Sequence, residues 1–164
     1  MKRFSILLLS LVMTYSFQSC DSDDNNSSEW QVANESAFNT IALNPEYIAV
    51  TTPGAAGTVY VKKLKNGSGT ERPLYTSTVK IYYKGSYYDG SVFEQSPDGV
   101  AITSTTNGFV SGFAIALQNM VVGDKWEVWI PWDLGYGSYT SGSIPAYSTL
   151  VFEIELVEIV RNWN

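Results

Sequence analysis

The chain has 164 residues, 45% of them apolar, which allows one domain with a packed core and excludes disorder of the whole. A net charge of -6 with no basic cluster argues against nucleic acid as a partner. Histidine is absent and Cys20 is the only cysteine, so imidazole acid-base chemistry, imidazole metal ligation and an intrachain disulfide are closed to this sequence.

In chain order, the first feature is a charged start at Lys2 and Arg3, followed by a mostly apolar stretch over 4–17. That stretch is short for a membrane span and reads as an export signal covering 1–19. Phe17-Gln18-Ser19-Cys20 resembles a loose bacterial lipobox, departing at its first place, where leucine is common. The expectation is cleavage before Cys20 and lipid on its thiol, anchoring the protein to the outer membrane of a cell envelope. The sequence leaves open whether it faces the periplasm or the exterior. Residues 20–28 are then the lipidated cysteine and an acidic, polar tether with nothing to bury.

Residues 29–57 read as a helical arm and a connector. Trp30, Ala33, Ala37, Phe38 and Ile41 recur at near-helical spacing, Ser28 can cap the start, and Asn44-Pro45 stops the helix. The arm is expected to pack against the domain. A short strand over 47–52 and a break at Pro53-Gly54 follow. The remaining residues, 58–164, form the globular domain.

Strand patterns dominate that domain. Val59-Tyr60-Val61 leads to a turn at Asn66-Gly67, and Thr78 to Tyr83 alternate. Asp89-Gly90 is a hairpin turn, since both residues tolerate positive φ, and 91–93 return. Trp126, Val128 and Ile130 alternate with Glu127 and Trp129, and 149–160 alternate again. One helix interrupts them over 112–120, with Phe113, Ala116, Leu117 and Met120 on one stripe.

Five blocks within this domain carry a family resemblance. They are Val79-Lys80-Ile81-Tyr82-Tyr83-Lys84-Gly85 running on to Asp89-Gly90-Ser91-Val92-Phe93-Glu94-Gln95-Ser96; Phe109-Val110-Ser111-Gly112-Phe113; Met120-Val121-Val122-Gly123-Asp124-Lys125-Trp126; Ile130-Pro131 through Leu134-Gly135-Tyr136-Gly137; and Ile144-Pro145 through Leu150-Val151-Phe152 to Leu156. In order and spacing, over about 58–160, the chain resembles the FKBP-type peptidyl-prolyl cis-trans isomerases. The resemblance implies an α+β fold: an FKBP-like curled antiparallel β-sheet wrapped around one short α-helix, here with an N-terminal helical arm. It implies catalysis of X-Pro isomerisation without covalent chemistry, metal or organic cofactor, on proline-containing unfolded or flexible clients. A monomer is the expectation apart from that resemblance, since the arm at 29–43 is short for a stable helical dimer, and the sequence leaves the oligomeric state open.

Carried over position by position, the resemblance makes Phe113 the floor of a pocket and Tyr83, Phe93, Val110 and Phe152 its walls. Val110 would offer its backbone N–H and Tyr136 its hydroxyl to substrate carbonyls. Glu94 would be the pocket acid, Phe109 would touch substrate, Ile144 would close the rim, and Val100 would stand where the family usually places another wall aromatic. Three departures stand out. The family floor is usually tryptophan, and here it is Phe113; the acid is usually aspartate, and here it is Glu94; the loop over 95–99 has no arginine to pair with that acid. Two rival readings are an FKBP-fold binding or chaperone module with eroded activity, and a surface lipoprotein binding glycans or peptides through Trp129, Trp132, Tyr139 and Tyr147.

Overall fold

The computed structural model describes residues 23–160; the expected signal and Cys20 lie outside them. A helix, α1 (Asp23–Ala42), precedes strands β1 (Ile48–Val50), β2 (Val59–Lys65), β3 (Thr78–Tyr87), β4 (Val92–Gln95) and β5 (Ile102–Thr105). Helix α2 (Ser111–Asn119) and strands β6 (Lys125–Ile130) and β7 (Leu150–Val160) complete the order, with 3-10 turns at Thr106–Gly108 and Trp132–Leu134.

All pairings are antiparallel, in the order β1-β2-β6-β7-β3-β4. Strand β5 also pairs with β3, so two short strands share one edge: β5 along Thr78 to Ile81 and β4 along Lys84 to Ser86. The alternation in β6 works as read. Trp126, Val128 and Ile130 are buried, whereas Lys125, Glu127 and Trp129 face the wetter side. There Lys125 pairs with Glu153 at 2.8 Å across the β6–β7 ladder.

The buried face of the sheet curls over α2, which contributes Phe113, Ile115, Ala116 and Leu117 to a core with Val61, Ile81, Val128 and Ile154. Close approach depends on Gly112, because a Cβ there would lie 2.3 Å from Ile130 Cγ2. Below α2, the buried Asp124 carboxylate accepts the Gly67 N–H at 2.7 Å and the Val121 N–H at 2.8 Å. That closes the turn into β6 and satisfies a charge that burial would otherwise penalise.

Helix α2 and strand β1 fall within a residue or two of their expected bounds, and two elements depart further. Helix α1 begins at Asp23 rather than 29, so Ser28 is an interior residue and most of the expected tether is helical. Strand β5 was not anticipated, since Ile-Thr-Ser-Thr has one apolar residue and is a strand through its pairing with β3.

Candidate functional site

The site is assembled at one end of the buried sheet face. Gly85 on β3 lies opposite Phe152 on β7 and opposite Glu94 on β4. A Cβ on Gly85 would stand 2.7 Å from both the Phe93 and Phe152 rings, so glycine lets those rings meet above the strand. They do so edge-to-face at 5.7 Å. Phe113 rises from α2 against Phe152 at 5.0 Å and Tyr83 at 6.2 Å, both near perpendicular. Phe109 stacks on Phe113 at 4.4 Å. Such offset and edge-on geometries are those that aromatic quadrupoles favour.

Polar groups sit at the margin of these rings. The Tyr83 hydroxyl donates to Glu94 Oε1 at 2.6 Å. Burial, then the bond to Glu94, pushes the Tyr83 phenol well above the ordinary tyrosine range, so it stays a donor. Tyr136 is 38% exposed, and its phenol is also raised, first by burial and then by the Glu94 charge. Tyr83, Glu94 and Tyr136 therefore act on one another. Among the described residues, neither the Tyr136 hydroxyl nor the Val110 N–H donates a hydrogen bond within the chain.

The other expected site residues divide. Val110 precedes α2 and packs against the core beside Phe109. Ile144 is only 6% exposed; it sits in the core rather than at an open rim, held by a two-way backbone bridge to Ser141. Val100 does not join the rings: it is 55% exposed, in a loop closed by its N–H to the Pro97 carbonyl. A smaller side chain where the family carries an aromatic has too little reach to fold back. One contributor was missed. Tyr87 backs Phe93 at 5.1 Å and donates to the Ser143 carbonyl at 2.9 Å. Extending the β3 alternation from Tyr83 through Gly85 would have found it.

The outward aromatics form no shared platform. Trp129 donates to Glu127 and meets Tyr47 edge-on, and Trp132 donates to Glu35 and packs on Tyr147. Of the four, Tyr139 alone stands in the open. Among the described residues, no group of three acidic, cysteine or histidine side chains converges to hold a metal. What the site offers is an apolar, ring-lined face with unspent donors at its margin. That suits gripping an apolar ring and hydrogen-bonding its flanking carbonyls.

A curled antiparallel sheet closed on one helix places the molecule in a class with several solved structures. A peptidyl-prolyl cis-trans isomerase from Pseudomonas syringae pv. tomato matches it with a TM-score of 0.72 and 28% identity, covering 87% of this chain and 100% of that one. FkpA from Escherichia coli matches with a TM-score of 0.72 and 26% identity, covering 83% of this chain and 62% of that one. The model of the FKBP-type peptidyl-prolyl cis-trans isomerases matches residues 69–157, more than half of the sequence, and the chain belongs to that family.

Among curated relatives, it is 46% identical over 90 residues to the FKBP-type 22 kDa peptidyl-prolyl cis-trans isomerase of Escherichia coli, covering 54% of this chain and 44% of that protein. It is 34% identical over 102 residues to the outer membrane protein MIP of Legionella longbeachae, covering 61% of this chain and 43% of that protein. The match thus spans less than half the length of these relatives.

Proposed function

We propose that this protein accelerates cis/trans isomerisation of X-Pro bonds in exported polypeptides. The observation that carries the reading is the ring cluster of Tyr83, Phe93, Phe113 and Phe152 with the Tyr136 O–H and Val110 N–H unspent beside it.

The chemistry asks little of side chains. Resonance in the peptide bond sets a rotation barrier of roughly 18–20 kcal/mol, which makes prolyl isomerisation slow enough to limit folding. The rings receive the pyrrolidine and exclude water, while Tyr136 and Val110 hold the flanking carbonyls. The twisted imide, which has lost its resonance, is bound better than either planar form, and that difference is the catalysis. A preference of about 6 kcal/mol corresponds to on the order of 10⁴-fold acceleration. No bond forms to the protein. Glu94 keeps Tyr83 oriented and does not move a proton.

A proline-containing tetrapeptide assay decides the matter. The wild type should exceed the uncatalysed rate by orders of magnitude, Phe152→Ala should abolish the excess, and Tyr136→Phe should lower kcat/KM by about tenfold, the scale of one lost hydrogen bond between uncharged groups. A wild type at the background rate rejects the reading.

The same proposal places the protein at the cell envelope, tied by lipid on Cys20 and acting as a monomer. The signal-like start supports it, as does the name outer membrane protein carried by the Legionella relative. Mass spectrometry of membrane-extracted protein should find an acylated Cys20, with Cys20→Ala released to the soluble fraction; an unmodified thiol in the membrane-bound form would reject the anchor.

A further inference from the structure

Helix α1 lies outside the region matched by the family model, yet one of its faces is wired to the segment that carries Tyr136 and Ile144. That segment, 132–149, contains no strand; a 3-10 turn and the Ser141–Ile144 bridge are its regular structure. At its entry, Glu35 accepts the Trp132 indole N–H at 3.1 Å. At its exit, Asn34 Oδ1 accepts the Thr149 N–H at 2.8 Å, and the Asn34 carbonyl accepts the Thr149 hydroxyl at 3.0 Å. Trp30 Nε1 donates to Ser148 Oγ at 3.2 Å, and that hydroxyl donates in turn to the Pro145 carbonyl at 2.7 Å.

Trp30 reaches the ring cluster as well. Its indole meets Tyr87 edge-on at 5.7 Å, and Tyr87 is the ring behind Phe93. Asn34 is fully buried, with its amide nitrogen bonded to the Trp30 carbonyl at 2.8 Å. A buried amide with both ends satisfied fixes one docking geometry, because sliding the helix would strand its donors and acceptors. Within the segment, the Gly137 N–H donates to the Trp132 carbonyl at 2.8 Å and the Tyr147 N–H to the Gly137 carbonyl at 2.9 Å, so the turn that carries Tyr136 is tied to the ends that α1 holds from outside.

We propose that α1 is a built-in brace for the site: Trp30 and Asn34 are positioning residues that fix the 132–149 segment, and with it Tyr136 and Ile144, in the geometry the reaction needs. The proposal rests on the isomerase reading and adds a regulating element to it, since loosening one helix would detune turnover with every pocket residue unaltered.

The test compares the whole protein with Trp30→Phe, Trp30→Ala, Asn34→Ala and Ser148→Ala, reading amide hydrogen exchange by mass spectrometry and kcat/KM on a proline tetrapeptide. Trp30→Phe keeps a ring against Tyr87 and loses the N–H. It should lower kcat/KM about fivefold, the effect of one hydrogen bond. Ser148→Ala should match it, and the double variant should be no worse than either, because both cut one chain of bonds. Trp30→Ala and Asn34→Ala should exchange faster over 132–149 while β3 and β7 keep their protection. Unchanged exchange in that segment overturns the brace. So does unchanged turnover despite faster exchange, or equal acceleration in β3 and β7, which would mean general destabilisation. A wild type without turnover removes the isomerase reading alone, and the exchange comparison then still accepts or rejects the brace.

Discussion

A single methyl group at Gly85 would reach both walls of the site, since the added Cβ would press on the Phe93 and Phe152 rings at 2.7 Å. Neither ring has slack: Phe152 is also against Phe113, and Phe93 against Tyr87. Gly85→Ala is expected to cost about 1–3 kcal/mol in chemical denaturation, the usual scale of overpacking, and to lower turnover further than stability alone explains. Alkali probes a different residue. The Tyr47 phenol is pushed up to about 12, first by burial and then by its bond to Glu127, from an ordinary 10.0. The folded state therefore holds protons that the unfolded chain releases above pH 10. Its contribution is complete below about pH 10 and is lost as pH rises toward 12, so stability should fall across that window. Denaturation curves at successive pH values should show a shallower fall in Tyr47→Phe. Of the site residues, the rings at Tyr83, Phe93, Phe113 and Phe152 were legible through motif spacing. Val100 was not, because a loop side chain's reach depends on contacts no pattern encodes, and Ile144 sits deeper than a rim residue would.

At the scale of elements, legibility followed periodicity. Strands β3, β6 and β7 and helix α2 each bury one face, so their sequences alternate or stripe and could be read directly. Strand β5 could not, because with one apolar residue in four it shows no apolar alternation, and its β-branched threonines become a strand only where β3 offers them a ladder. Helix α1 was foreseen as a packing arm, but the polar anchors that seat it were not. Asn34 gives no sign in sequence that it will be fully buried, and its partner Thr149 is 115 positions away. Long-range hydrogen bonds of this kind leave no local trace. The same holds for Trp132: in sequence it resembles an exposed aromatic, and in the fold Glu35 and Tyr147 cover it.

For the molecule as a whole, the family pattern conveyed the architecture and the local pattern conveyed the faces, while strand order came from neither. Strand β7, the last of those described, does not lie at an edge. It pairs on one side with β6 and on the other with β3, ten register positions long from Thr78–Val160 to Tyr87–Leu150. The halves of the barrel-like wrap, β1-β2-β6 and β3-β4-β5, share no ladder until that strand stands between them. Synthesis runs from the other end, so the described sheet has no centre until β7 has emerged. This is a clock written into topology: each half can pair within itself first, and the two become one sheet only when the closing strand joins β6 to β3.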